Sequence, residues 1–251
     1  MKMTEGYPLR KITIGEQLLM WLASPVLFPL ITSVLVGIIY GVMNTGQSPD
    51  ELLEGIGSLD GLISFIGFTG SLLVMALIIT VKKIPLMNRK QLSRNDSAGV
   101  RGLTKEDWKF LAWFVPVSYV LFNIGGTILE IVMGGGELVN QEAVEALVVD
   151  TPLWMLFIII VIAAPLAEEW LFRGVIFFRN EHNEISWTTL IVTSILFGLV
   201  HIPTTVVAAY TYIGMGLLFG YAAKRTQSVE AAIFFHFVNN LIGFIVLAAA
   251  G

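Results

Sequence analysis

Glu168 and Glu169 stand side by side in PLWMLFIIIVIAAPLAEEWLFRGVIFF, residues 152 to 178, a run otherwise apolar enough to cross a bilayer. An acidic side chain at mid-span costs about 2.5–3.5 kcal/mol, so carboxylates kept there face a protein interior and serve a purpose. Two later apolar runs carry similar groups: His201 closes FGLVH, and His236 and Asn240 lie in HFVNN. A carboxylate, two imidazoles and an amide are the parts that hydrolysis of an amide bond uses. One group takes a proton from water, and N–H donors receive the oxygen that becomes negative.

Helical spacing divides the labour. Residues three or four apart share a face, whereas neighbours point about 100° apart. His236 and Asn240 therefore project together, as do Phe197 and His201, and as do Glu169 and Arg173. Glu169 with Arg173 reads as an ion pair that makes a charge tolerable at depth and fixes the helix rotation. Glu168 is left as the free carboxylate, suited to act as general base toward a water that His201 orients or whose proton it shares. His236 and Asn240 would supply the oxyanion donors. Pro165, three residues before Glu168, would loosen the helix and could admit water or substrate backbone.

Two other readings use the same residues. Glu168 could accept hydrogen bonds from His201 and His236 merely to lock three helices together. Alternatively, Glu168, His201 and His236 could ligate zinc or another divalent metal such as ferrous iron. No HExxH spacing supports the metal, and Asn240 beside His236 suits an oxyanion donor better than a ligand shell. The expectation is a site without a cofactor.

These groups must be positioned by membrane helices. The chain of 251 residues is 55% hydrophobic and 14% charged, with a mean hydropathy of +0.78. That is too little polar surface for a water-soluble globule. Cysteine is absent, which removes disulfides, thiolate nucleophiles and sulfur-ligated metals. A small net charge of −4 without a basic face excludes nucleic acid as a partner.

A span needs about 20 apolar residues, and seven are expected: 17–42, 61–83, 108–133, 152–178, 187–202, 204–223 and 229–249. The fifth is short, and Pro203 allows only a tight connection to the sixth. The first reads as a retained span rather than a cleaved signal peptide. All fifteen basic residues fall at the N-terminus or at the even-numbered connections and their edges. By the positive-inside rule this predicts a cytoplasmic N-terminus and an external C-terminus. On that topology Glu168, His201, His236 and Asn240 lie about 11–20 Å from the cytoplasmic face, at 1.5 Å rise per residue.

Lesser features have plainer readings. A short interfacial helix fits the apolar spacing between Gly134 and Asp150, and residues 82 to 107 suit a cytoplasmic loop against anionic lipid. His182 reads as solvated. Gly37 with Gly41, and Gly216 with Gly220, have small-xxx-small spacing that permits close helix approach, with packing as the default and dimerisation as the alternative. Asn123 and Glu130 could line a cavity.

The run Glu168-Glu169-Trp-Leu-Phe-Arg173, Phe197 with His201 four later, and His236 with Asn240 four later resemble the three signature motifs of the CPBP family. That family comprises CAAX proteases and bacteriocin-processing membrane proteins and is also called the Abi family. Order, spacing and placement on separate spans all match, over about residues 150 to 245. The resemblance implies an all-α polytopic bundle forming one integral membrane domain, with residues 1–133 as accessory spans and 150–245 as the catalytic core. It implies an intramembrane glutamic endopeptidase in a bacterial cytoplasmic membrane, acting on a membrane-associated peptide or protein. It assigns Glu168 and His201 to water activation and His236 and Asn240 to oxyanion stabilisation. A non-proteolytic immunity or scaffold protein, or a proton-coupled transporter carrying protons on Glu168, are the alternatives.

Overall fold

A computed structural model describes residues 12–84, 86, 103–133, 151–176 and 186–250. Among them the regular elements are helices, in chain order α1 Ile14–Leu22, α2 Leu27–Met43, α3 Pro49–Gly57, α4 Asp60–Lys82, α5 Lys105–Met133, α6 Leu153–Ile176, α7 Trp187–Leu199, α8 Val206–Thr226 and α9 Val229–Ala250. Five of these are long and apolar enough to cross a membrane, or six if α1 and α2 form one bent span. The expected span 187–202 appears as the 13-residue helix α7, about 20 Å long. The possible helix between Gly134 and Asp150, and His182, lie outside the described residues, as does most of the 82–107 loop.

Span one is not the continuous helix expected over 17–42. α1 and α2 meet at a 50° bend. Pro25 has no N–H for the helical ladder, and the Ser24 hydroxyl accepts instead from the Val26 and Leu27 amides at 3.4 and 3.3 Å. The loop expected over 43–60 also holds a helix. Ser48 and Glu51 form a reciprocal capping box at the start of α3, with Pro49 in its first turn. Those hydrogen bonds from Ser48 hold the exposed Glu51 carboxyl below its ordinary pKa.

Helix α6 departs most from ideal geometry. A single α turn, Leu153–Leu156, passes into a π stretch over Phe157–Ala163, returns to α over Ala164–Glu169, and becomes π again over Trp170–Ile176. Both glutamates thus lie on a short α segment between two wider turns, a type of irregularity frequent at functional sites.

The core gathers around the second half of α6. Met20, Met75, Leu111, Phe172, Phe197 and Phe219 are buried there, drawn from α1, α4, α5, α6, α7 and α8. α7 and α8 approach most closely because two glycines allow it. A Cβ on Gly216 would stand 3.0 Å from the Cα and carbonyl oxygen of Ser194, and one on Gly198 would stand 3.0 Å from the Ile213 amide nitrogen. The Gly216 spacing therefore serves packing within the chain. At Gly37 and Gly41 an added Cβ would meet nothing within 4 Å among the described residues.

Candidate active site

Arg173 and Glu169 are both fully buried, and their charges are joined directly: Arg173 Nη1 donates to Glu169 Oε1 at 2.8 Å. The second arm of the guanidinium, Nη2, donates to the Gly216 carbonyl at 2.7 Å, tying α6 to α8. The Phe197 ring covers the guanidinium carbon at 4.7 Å from its centroid, an arrangement that favours a desolvated cation. The ion pair expected from the i, i+4 spacing is therefore present.

Glu169 has a second partner that spacing within one helix does not reveal. Its Oε1 also accepts from His236 Nδ1 at 3.0 Å, across from α9. Since the carboxylate already receives the arginine, the imidazole is the donor and its Nδ1 carries hydrogen. The ring is stacked on Phe219, centroids 4.4 Å apart at 19°, which sets its plane. The other nitrogen, Nε2, then faces Glu168 Oε2 at 3.9 Å. His236 thus bridges the two adjacent glutamates, one held at hydrogen-bond distance and the other standing off.

Glu168 is the less committed carboxylate. Its side chain is 13% exposed against 0% for Glu169, and its Oε2, like that of Glu169, is buried without a hydrogen-bond partner among the described residues. The 3.9 Å gap to His236 Nε2 exceeds a direct hydrogen bond but suits a shared one. An oxygen about 2.8 Å from both atoms would subtend roughly 90° between them, within reach of a water that donates to the carboxylate.

His201 lies just past α7, in a turn where its own amide bonds the Gly198 carbonyl at 3.1 Å. Its Nδ1 donates to the Phe197 carbonyl at 2.7 Å, leaving Nε2 as the open face of the ring. Tyr212 of α8 stacks on that ring at 4.7 Å and 11°. Ile202, the next residue, has a φ of 52°, a left-handed conformation unusual for a β-branched residue. Pro203 disfavours the right-handed helical conformation at Ile202, so α7 does not continue through it. Among the described residues His201 makes no hydrogen bond with Glu168.

Asn240 is engaged with α6 rather than with the other site groups. Its Nδ2 donates to the Ile160 carbonyl at 2.9 Å. The partner follows from the π geometry, in which each carbonyl bonds the amide five residues on; Ala164 bonds Ile159 in this way. The next carbonyl, Ile160, would need the amide of Pro165, which has no N–H. Pro165 was expected to loosen the helix and admit water or substrate backbone; the carbonyl it leaves free is occupied by Asn240. One Nδ2 hydrogen of Asn240 remains for another acceptor.

Glu168, Glu169, Arg173 and His236 thus form one connected cluster, while His201 and Asn240 are anchored on its flanks through Phe197 and Ile160. No three His, Cys, Asp or Glu side chains among the described residues are grouped to hold a metal ion. Asn123 and Glu130 lie on an exposed face of α5, where Asn123 bonds the Tyr119 carbonyl of its own helix. Neither contributes to this site. Phe219, Tyr212 and Ile160 were not anticipated, and Gly216 was anticipated only as a packing glycine, because each acts through a backbone carbonyl or an aromatic face that spacing does not mark.

Residues 150–242 match the family described as type II CAAX prenyl endopeptidase Rce1-like, a stretch that includes all three motifs. The chain is 32% identical over 199 residues to YdiL of Bacillus subtilis (strain 168), a protein named provisionally as a membrane peptidase, covering 78% of this chain and 74% of that one. The chain belongs to the CPBP family. A match of that length reaches well ahead of residue 150, so CPBP similarity is not confined to the motif-bearing helices. The UPF0177 protein YbdI of Lactococcus lactis subsp. lactis (strain IL1403) is 30% identical over 135 residues, 53% of this chain and 72% of its own. The membrane-embedded CAAX protease MroQ of Staphylococcus aureus (strain USA300) is 26% identical over 153 residues, 57% of this chain and 60% of its own. No solved structure matches. CPBP membership and the apolar helices together make this an integral membrane protein of a peptidase family.

Proposed function

We propose that the chain is an intramembrane endopeptidase that hydrolyses a peptide bond of a membrane-associated peptide or protein with a water activated by Glu168. The observation that carries this reading is the placement of Glu168: it is the more exposed of the two glutamates, and its Oε2 faces His236 Nε2 at 3.9 Å with no hydrogen-bond partner among the described residues, whereas Glu169 Oε1 is held by both Arg173 and His236.

In the proposed reaction Glu168 takes a proton from the water as its oxygen bonds the scissile carbonyl carbon. The open Nε2 of His201 accepts a hydrogen bond from the same water and orients it. Negative charge moves to the former carbonyl oxygen, which receives the remaining Nδ2 hydrogen of Asn240 and the Nε2 hydrogen of His236 in its doubly protonated form. The Glu168 proton then passes to the leaving nitrogen, the C–N bond breaks, and an acid and an amine are released. The donor set fits a mechanism without a metal, because Asn240 supplies N–H where a ligand shell would need a lone pair.

The names of the matched family and of MroQ point to a lipid-anchored or membrane-inserted peptide as substrate. The basic residues at one end of the helices further support a cytoplasmic N-terminus in a bacterial cell membrane. The decisive comparison uses wild-type protein and Glu168→Gln in liposomes, with quenched fluorescent peptides carrying either a prenylated CAAX tail or an apolar membrane anchor. Cleavage by wild type, retained under a metal chelator and lost in Glu168→Gln at unchanged thermal stability, is the expected result. Equal cleavage by both proteins, or none by either, would sink the peptidase reading.

A further inference from the structure

The proposed role of Asn240 requires its amide to point a particular way, and the neighbouring Asn239 is placed to ensure it. Asn239 belongs to none of the three motifs. Its Nδ2 donates to Asn240 Oδ1 at 3.1 Å and approaches the Met215 sulfur at 3.5 Å. Asn240 Nδ2 in turn donates to the Ile160 carbonyl at 2.9 Å. The contacts form a chain from α8 through α9 to α6, with donors and acceptors alternating at every link.

A primary amide can turn end for end with little change in shape, exchanging a donor for an acceptor. At Asn240 that exchange would set Oδ1 against the Ile160 oxygen and would turn Nδ2 toward the Asn239 donor. Each contact alone resists the exchange, and together they leave one orientation. Asn239 is itself oriented, because its Nδ2 has two hydrogens and two acceptors. Consecutive asparagines on a helix would ordinarily diverge by about 100°. Here the two amides are joined instead.

We propose that Asn239 is a positioning residue: it holds the Asn240 amide with Nδ2 toward α6, so that its second hydrogen is aimed where the oxyanion develops. This rests on the peptidase reading above. Asn239 does not touch the reacting atoms, and its effect passes wholly through Asn240. Removing it lets the Asn240 amide wander without removing the donor, so the loss is smaller than that of Asn240 itself and falls on kcat rather than KM.

The experiment is a double-mutant cycle on cleavage of the same anchored peptides, with thermal unfolding measured for every variant. Asn239→Leu is expected to lower kcat about 5- to 10-fold with KM unchanged, the scale of one neutral hydrogen bond. In an Asn240→Ala background the same substitution is expected to change the rate less than about twofold. Asn239→Asp keeps the shape but, when ionised, opposes the Asn240 oxygen with another acceptor. Its rate relative to wild type is expected to rise as pH falls, since a protonated carboxyl donates to that oxygen. An undiminished Asn239→Leu effect in Asn240→Ala, or a flat relative pH profile for Asn239→Asp, overturns the proposal while leaving the peptidase reading intact. Glu168→Gln cleaving as fast as wild type would overturn both.

Discussion

His236 Nδ1 lies 3.0 Å from Glu169 Oε1, so the carboxylate that pairs with Arg173 also orients the imidazole facing Glu168. One oxygen therefore joins α6 to α9 directly and, through the arginine and the Gly216 carbonyl, to α8. Removing a member of such a buried set leaves an uncompensated charge, which typically costs about 3–5 kcal/mol. Glu169→Ala and Arg173→Ala are each expected to destabilise the protein on that scale. The double variant Glu169→Leu, Arg173→Met should be less destabilised than the sum of the corresponding single variants, because it leaves no lone charge behind. Unfolding in detergent, followed by intrinsic tryptophan fluorescence, measures all of these. Additive losses would show that the pair is not coupled.

Asn240 is expected to contribute to stability and to rate by separate routes. Asn240→Ala leaves the Ile160 carbonyl without a donor, at a cost of about 1–3 kcal/mol, and removes an oxyanion donor, at about 100- to 1000-fold in kcat. The two losses are separable through Pro165. Replacing it by alanine restores an N–H that can reach Ile160 in the π register or Val161 in the α register. Pro165→Ala in the Asn240→Ala background should therefore recover much of the stability while leaving cleavage impaired. Recovery of both, or of neither, would show that the carbonyl and the oxyanion are not served by different hydrogens of one amide.

The ion pair of Glu169 and Arg173 was legible in the sequence because both belong to one helix, where a spacing of four fixes proximity. The contact between Glu169 and His236 was not legible. Those residues are 67 positions apart, and periodicity says which face a side chain occupies without saying which helix meets it. Likewise, an ideal period of 3.6 hides the two π stretches of α6, and with them which carbonyl Pro165 leaves without its partner. The bend between α1 and α2 and the helix α3 were readable in principle, from Ser24-Pro25 and from the capping box of Ser48 and Glu51. Long apolar runs mask such local signals, because hydropathy alone already accounts for a span. Pro203 marked the end of α7, but the left-handed Ile202 that turns the chain beside His201 required backbone geometry to see.

Glycines on two parts of the bundle are expected to behave oppositely, which tests the packing that supports the site. At Gly216 an added Cβ would press on the Ser194 backbone, and the Gly216 carbonyl is the acceptor for Arg173. Gly198 is similarly closed by the Ile213 backbone. Overpacking of this kind typically costs about 1–3 kcal/mol, and Gly216→Ala should also lower activity by shifting the partner of Arg173. Gly37→Ala and Gly41→Ala meet open space and lie within α2, where alanine is the better helix former by about 1 kcal/mol. Those variants should be neutral or slightly stabilising, with cleavage unchanged. Thermal unfolding and peptide cleavage of the four single variants check the contrast. Comparable destabilisation at Gly37 or Gly41 would instead reveal a close contact on that face beyond those among the described residues.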